Sequence, residues 1–367
     1  MKVLFLTMEA FGGIGGIAKY NRDFLRALCS TPKIEEVVAV PRLMPLVPEI
    51  LPPKLTYIVA ALPSRVSYIK AVLKLLIKRS KFDLIGCGHI KLLPVAILAK
   101  LVTKAPLLLI IYGVDAWTPL KNIFLKYFLS KVDKIISISE ITKQRFMRWS
   151  QVTQEKFYIL PNAIIQKNYG VGAKSMELVE RYNLKDKTVL MTLGRLSAEE
   201  KYKGFDEIME LLPELAKQIP NIAYVIVGDG DDRPRLEAKA KSLGVGERIV
   251  FTGFTPEAEK ADHYRLADAF VMPGRGEGFG FVFLEALACG IPAVGSTLDG
   301  SREALRGGAL GILVDPRHPE DIQAGIFEAL RRPRGVIPGG LEYFSFENFE
   351  KRCHQILAHV VKSREVS

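Results

Sequence analysis

The stretch "DAFVMPGRGEGFGFVFLEALACGIPAVGS", residues 268–296, decides the fold. It opens and closes on short apolar runs suited to buried strands. Between them lie a loop carrying Gly274, Gly276, Gly278 and Gly280 and an amphipathic helix ended by Gly290. Strand, glycine loop, helix and strand in that order make a βαβ unit, whose strands run parallel in one sheet. Ligands of such sheets bind beyond the carboxyl ends of the strands, so the loop is where chemistry is expected. Four alternating glycines exceed what packing alone would ask for. Glu277 stands within the loop and Glu285 in the second turn of the helix. Amides near Phe279, Gly280 and Phe281 point out of the helix start toward an anion. Eight helical residues would separate the two carboxylates by ~12 Å, too far for a glycosidase acid pair at ~5–9.5 Å. They suit different parts of one elongated ligand.

Working outward, the same alternation fills the chain. "VLFLT", "EVVAV", "LTYIVA", "FDLIGC", "PLLLIIY" and "KIISIS" read as strands, with helices predicted at about 16–29, 64–80, 91–103, 119–131 and 139–149. The pattern restarts after Pro161 with "KTVLMTLG", "IAYVIVG", "RIVFTG", "DAFVMP", "IPAVGS" and "GILVD". At 367 residues the chain exceeds the usual size of one core, and a polar stretch places a domain boundary near 162–186. The expected fold class is α/β, two doubly wound parallel-sheet domains in tandem.

Composition narrows the classes. With 49% apolar and 25% charged residues the chain is globular rather than disordered. Residues 1–170 carry 25 Lys+Arg against 10 Asp+Glu and the remainder 26 against 30, so charges of +15 and −4 make up the net +11. The basic half is expected to meet an anionic surface. Nucleic acid is not expected, because no basic cluster is interleaved with aromatics. Cys29, Cys87, Cys289 and Cys353 lack CxxC spacing, which argues against a zinc site and for reduced thiols. The amino terminus is too short in its apolar run for a signal peptide, and "LLPVAILAKLVTKAPLLLIIYGV" is broken by Lys100, Lys104 and Pro106, so it is no membrane span.

Two further glycine-bearing loops follow strands. In "GGIGGIAKYNRDFL", Gly13, Gly15 and Ala18 fit a G-x-G-x-x-A dinucleotide fingerprint, with Gly16 beside them. The acidic residue that fingerprint wants after the second strand is replaced by Pro41 and Arg42, so a loop whose amides face another polar or anionic ligand is the better reading, and an NAD-dependent oxidoreductase the alternative. In "LGRLSAEEKYKGFDEI", Arg195 leaves a strand and Lys203 precedes Gly204 at a helix start, a pairing suited to a phosphoryl group.

These residues carry a resemblance. "EGFGFVFLE" is similar to the E-x7-E signature of the retaining glycosyltransferases of family 4, "GRLSAEEKYKG" to their Arg/Lys diphosphate motif and "VGDGDDRPRLE" to their GDG loop. The chain resembles that family from "GGIGG" to the terminal "FSFENFEKRCHQIL". The resemblance implies the GT-B fold, two Rossmann-like domains facing across a cleft: 1–165 for the acceptor, 166–345 for the nucleotide sugar, and a C-terminal helix, 346–367, returning to the first. It implies that Arg195 and Lys203 hold the donor diphosphate and that Glu277 binds sugar hydroxyls beside amides of Gly278, Phe279, Gly280 and Phe281. Glu285 would take the ribose hydroxyls, and the base would lie near Phe251 to Thr255, Phe254 included. The Gly13–Gly16 turn would border the donor. The implied mechanism is a front-face displacement in which the departing phosphate takes the acceptor proton.

Where the family often has a His-Gly pair, this sequence has "IYGVDAW", with Tyr112 at the His position. Tyr112 and Asp115 are candidates for orienting the acceptor, and Asp115 equally for capping the next helix. His89, at a strand end, is a further candidate on the acceptor side. "GDGDD" has Asp-x-Asp spacing, but Asp229 and Asp231 are expected in turn and cap roles, so no metal and no other cofactor is expected. In "RVSYIKAVLKLLIKRSKF", residues 65–82, Lys70, Lys74 and Lys78 form one stripe, either on an anionic membrane or in water. The whole reads as a cytoplasmic enzyme, peripheral on the inner face of the membrane, moving a sugar such as that of UDP-glucose to a carbohydrate or lipid-linked glycan in cell-surface polysaccharide synthesis. A non-catalytic binding protein of the same fold is the competing class.

Overall fold

The computed structural model describes residues 1–79, 81–119 and 123–362 and, within these, every side chain except those of 123–125 and 362. The chain divides into two compact units, residues 1–163 with 346–367, and residues 164–345.

The first unit is built on β1 (Lys2–Thr7), β2 (Glu36–Pro41), β3 (Leu55–Tyr57), β4 (Leu84–Gly88), β5 (Leu107–Ile111), β6 (Lys134–Ser137) and β7 (Phe157–Ile159). Among the described residues these form one sheet, all parallel, in the order β3-β2-β1-β4-β5-β6-β7. The inner strands are buried on both faces and so read as unbroken Val, Leu and Ile runs rather than as alternations. Helix Arg65–Lys78 starts at Ser64, whose hydroxyl accepts from the Ser67 amide at 3.0 Å, and lays Tyr68, Val72 and Leu76 on the sheet at helical spacing. Each such burial is worth about 1.5–3 kcal/mol. Helix Phe346–Lys362 belongs to this unit and packs along helix Gly16–Ser30. Phe349 meets Tyr20 edge-on at 5.6 Å, and His354 Nε2 lies 3.1 Å from the Ala27 carbonyl.

The second unit carries β8 (Thr188–Leu193), β9 (Ile222–Val227), β10 (Ile249–Gly253), β11 (Ala269–Val271), β12 (Ala293–Ser296) and β13 (Ile312–Val314), also parallel, in the order β10-β9-β8-β11-β12-β13. In both sheets the strand order reverses beside the first strand of the unit, between β1 and β4 and between β8 and β11. The crevice beyond the carboxyl ends at such a reversal is where doubly wound sheets hold ligands.

The sequence pattern missed β7, three half-buried residues too few to show a period. It overran β3, where "LTYIVA" leaves the sheet after Tyr57 and turns through Val59–Ala61. Parts of three predicted helices, Ser80, residues 120–122 and residues 363–367, lie outside the described residues.

Candidate functional site

At the β8/β11 reversal three segments of the second unit interlock. The chain leaving β8 runs through Arg195 to a short turn at Lys201–Lys203, then through Gly204 at φ 90° into helix Phe205–Gln218. The chain leaving β11 forms the glycine loop and enters helix Phe281–Ala288 at Gly280, φ 94°. The loop rests on the turn: Arg275 N donates to the Tyr202 carbonyl at 2.8 Å, and a Cβ on Gly276 would stand 2.2 Å from the Tyr202 ring. The third segment is the turn after β12. Asp299 is buried, and its Oδ2 accepts from Glu277 N at 2.9 Å while Oδ1 accepts from Ser301 N and Oγ at 3.0 and 2.6 Å. Gly300 N returns a bond to the Glu277 carbonyl at 2.8 Å.

Several glycines expected to face a ligand are thus required by the protein itself. Gly276 makes room for Tyr202, and a Cβ on Gly280 would fall 2.5 Å from the Phe283 ring. The GDG segment is a prop of the same kind, since a Cβ on Gly230 would meet the Leu196 carbonyl at 2.0 Å. Asp231 Oδ1 accepts from Ala198 N at 3.0 Å and Asp229 Oδ1 from Gly230 N at 2.8 Å. Neither caps helix Arg233–Ser242, whose N-cap is Asp232.

The charged side chains converge. Glu200, which no local pattern sets apart from the neighbouring acid Glu199, pairs with both predicted cations: its carboxylate accepts from Arg195, and Lys203 Nζ lies 2.8 Å from its Oε2. Burial raises the Glu200 pKa, but the opposing pull of Lys203 and Arg195 holds it below the usual range. Lys203 lies over Gly194, while the Arg195 side chain is 69% exposed. Glu277 folds back so that Oε1 accepts from Gly278 N at 3.1 Å. Burial raises its pKa, against the charge of Lys203 and the amides of Phe279 and Gly278. Burial likewise pushes Asp299 up to about 7. Two carboxylates, Glu200 and Glu277, therefore occupy cations and amides of the kind that bind anions.

The remaining predicted contacts scatter. Phe279 contributes only main chain, because its ring is buried edge-on against Phe344 at 5.4 Å. Phe281 is buried as well, and Phe254 is 68% exposed beside β10. Glu285 is 1% exposed and accepts from the Tyr264 hydroxyl at 2.9 Å. It is an interior carboxylate, not a surface one.

In the first unit the Gly13–Gly16 turn lies beyond β1. One of its amides and the amide just before it already have carboxylate acceptors, Ile14 N with Glu9 at 3.1 Å and Gly12 N with Glu49 at 2.9 Å. Glu49 is paired in turn with Arg22 at 3.4 Å, and Arg22 also donates to the Gly13 carbonyl at 3.0 Å, so the turn closes on its own side chains. Tyr112 requires a correction too. Its ring is buried, and its hydroxyl donates to Asn21 Oδ1 at 2.6 Å and lies 2.9 Å from the Gly88 carbonyl. It ties the ends of β4 and β5 to helix Gly16–Ser30 and offers no free hydroxyl to an acceptor. Asp115 is not a cap: it lies in the first turn of the short helix Val114–Trp117, whose N-cap is Gly113 without a side-chain bond, and its Oδ1 accepts from Tyr112 N at 3.2 Å, while burial pushes its pKa up to about 6. Its Oδ2 is buried without a hydrogen-bond partner. His89 is buried at the end of β4, its Nδ1 accepts from Lys91 N at 3.1 Å, and burial lowers its pKa to about 4, so the ring is neutral.

Comparison with known proteins agrees with this geometry. Residues 14–166 match the family model described as Glycosyltransferase Family 4, and residues 176–335 the model described as Glycosyl transferases group 1. The GDP-mannose-dependent alpha-(1-6)-phosphatidylinositol monomannoside mannosyltransferase of Mycolicibacterium smegmatis is 30% identical over 243 residues, covering 64% of this chain and 63% of that one. The match thus spans a little under two thirds of that relative's length. Among solved structures, sucrose-phosphate synthase from Thermosynechococcus elongatus aligns with a TM-score of 0.78 at 19% identity over 99% of both chains. Anabaena HepE, in complex with UDP and glucose, aligns with a TM-score of 0.73 at 19% identity over 98% of this chain and 99% of that one. Those two likenesses speak for the GT-B fold. With its two Rossmann-like units and both halves matched, the chain belongs to the family 4 glycosyltransferases.

Proposed function

We propose that the protein is a retaining glycosyltransferase that moves a sugar from a nucleoside-diphosphate sugar to a carbohydrate or lipid-linked glycan, without a metal, in cell-surface polysaccharide synthesis. The observation that carries the reading is the convergence of Lys203, Arg195, Glu277 and the start of helix Phe281–Ala288 at the β8/β11 reversal. As the glycosidic C–O bond breaks, negative charge grows on the leaving diphosphate. Two cations and the helix-start amides stabilise that charge more in the transition state than in the ground state. The diphosphate takes the place now held by Glu200 and the folded-back Glu277. Glu277, freed from its own amide, then reads hydroxyls of the donor sugar.

UDP-glucose and GDP-mannose are the donors to try first. A relative is named as GDP-mannose-dependent, and one structural neighbour holds UDP and glucose. A thermal-shift panel of nucleotide sugars tests the reading, since a ligand at 100 times its dissociation constant stabilises by about 2.7 kcal/mol. Turnover of the best donor should survive excess chelator. Loss of activity that manganese restores would remove metal independence from the proposal, and tight donor binding with no turnover on any acceptor would favour a binding protein.

The first unit supports a lipid-linked acceptor at the cytoplasmic face of a membrane. Among the described residues no helix is long and apolar enough to cross a membrane. Helix Arg65–Lys78 instead turns Ile69, Leu73 and Ile77, the last 83% exposed, outward beside exposed Lys70, Lys74 and Lys78. An apolar stripe flanked by lysines suits a surface of anionic lipid. Co-sedimentation with liposomes should rise with phosphatidylserine content and fall in Lys70→Glu/Lys74→Glu; insensitivity to anionic lipid would end this part of the proposal.

A further inference from the structure

Glu285 is held by two tyrosines from different parts of the second unit. Tyr264, on helix Lys260–Leu266, is fully buried and donates to Oε2 at 2.9 Å. Tyr169, on the segment entering the unit, hydrogen-bonds Glu285 and also donates to Glu257 Oε1 at 3.2 Å. Its backbone is fixed in turn: Arg265 donates to the Tyr169 carbonyl at 2.7 Å and to the Gly170 carbonyl at 3.1 Å, and Gly170 N bonds the Ala288 carbonyl at 3.1 Å at the end of the Glu285 helix. Burial raises both phenols far above their usual range, so each is a donor and neither competes as a second anion.

A carboxylate so enclosed cannot swing out to meet a ligand. The ligand must come to it, and the group must already point the right way. A carboxylate accepts in its own plane, so two phenol donors from different segments fix the direction in which it faces. We infer that Tyr264 and Tyr169 are positioning residues that set Glu285 for a ribose diol. Through Glu257, Tyr169 also ties that carboxylate to the Phe254–Glu259 segment at the base end of the site. The inference rests on the ribose role proposed for Glu285.

The test compares binding of UDP and GDP with binding of their 2′,3′-dideoxy counterparts in the parent, Tyr264→Phe, Tyr169→Phe and Glu285→Gln, by titration calorimetry. The parent should prefer the ribo form of its nucleotide by roughly tenfold or more, the worth of a hydrogen bond to a charged group. Tyr264→Phe should reduce that preference roughly tenfold by weakening the ribo form alone, and Tyr169→Phe should reduce it less, because its hydroxyl is shared with Glu257. Dideoxy binding should stay constant in both variants, which a merely structural role would not predict. Preference retained in both tyrosine variants but lost in Glu285→Gln, or ribo and dideoxy forms weakened equally, would overturn the inference and leave the ribose role standing. No preference in the parent would remove the ribose role and the inference together. Should Tyr264→Phe fail to fold, Tyr169→Phe gives the same readout.

Discussion

In the first unit, the turn after β1 carries Gly15 at φ 87° and ψ −178°, with no atom within 4 Å of the place a Cβ would take. In the second, the loop after β11 carries Gly276, whose Cβ would fall 2.2 Å from the Tyr202 ring. The two loops look alike in sequence, and each follows a strand that flanks the reversal of its sheet, β1 in one and β11 in the other. Gly15 is demanded by its backbone, in a region of φ and ψ that only glycine populates. Gly276 is demanded by a neighbour. Charge follows the same division: the second unit, net −4, closes its acids and bases on one another at the site, whereas the first, net +15, leaves a basic helix face in solvent. Similar glycine patterns on one scaffold thus serve a built site in one unit and a shaped turn in the other.

The sharpest way to break this contrast is to remove charge from both loops. Lys203→Ala should lower transfer on the order of 10²-fold, the cost of one contact to a developing anion. Glu9→Gln and Glu49→Gln, beside the first turn, should change donor affinity less than about threefold, a range expected of surface substitutions away from a site. Comparable losses in both units, measured as kcat/KM on one donor, would mean that both turns hold the donor.

Next come the glycines. Gly276→Ala should destabilise by up to about 3 kcal/mol through overpacking. Tyr202→Ala in the same chain should recover most of that loss, because the clash lies with a single ring. Gly15→Ala should cost about 1–2 kcal/mol as backbone strain, and truncating a neighbour should recover none of it. Double-mutant cycles on urea midpoints measure both couplings. Rescue at Gly15, or none at Gly276, would reverse the assignment.

The smallest effect concerns the buried acids. Asp299 is neutral below about pH 4 whether folded or unfolded and ionised in both states well above 7, and between those limits the folded chain holds the proton that the unfolded one releases. Stability therefore falls as pH rises through this window. Asp23 and Asp115, pushed up to about 6, act the same way at lower pH, while His89, lowered to about 4, opposes them by gaining stability up to about 6.5. The decline between pH 6 and 7 belongs mainly to Asp299 and should amount to about 1 kcal/mol at most. Thermal unfolding of Asp299→Asn, a weaker protein at every pH, should show that segment flattened.

Much of this was legible in the residues. Strand and helix alternation is local, written every few positions by β-branched runs and glycine stops, so the tandem α/β architecture and the loops beyond its strands came from sequence alone. The motif residues Arg195, Lys203 and Glu277 also came from sequence, because each sits at a strand or helix terminus that its own segment defines. Contacts between distant segments decided the rest. Nothing around Tyr112 shows that its hydroxyl will meet Asn21, 91 positions away, and nothing around Glu285 shows that Tyr264 and Tyr169 will enclose it. Glu200 looks like one acid in a charged run until folding sets it between two cations. A side chain's type fixes the bonds it is able to make, but whether it spends them on a ligand or on the protein depends on what burial places beside it, and that neighbour is chosen by the assembled sheet and its helices rather than by the adjoining sequence.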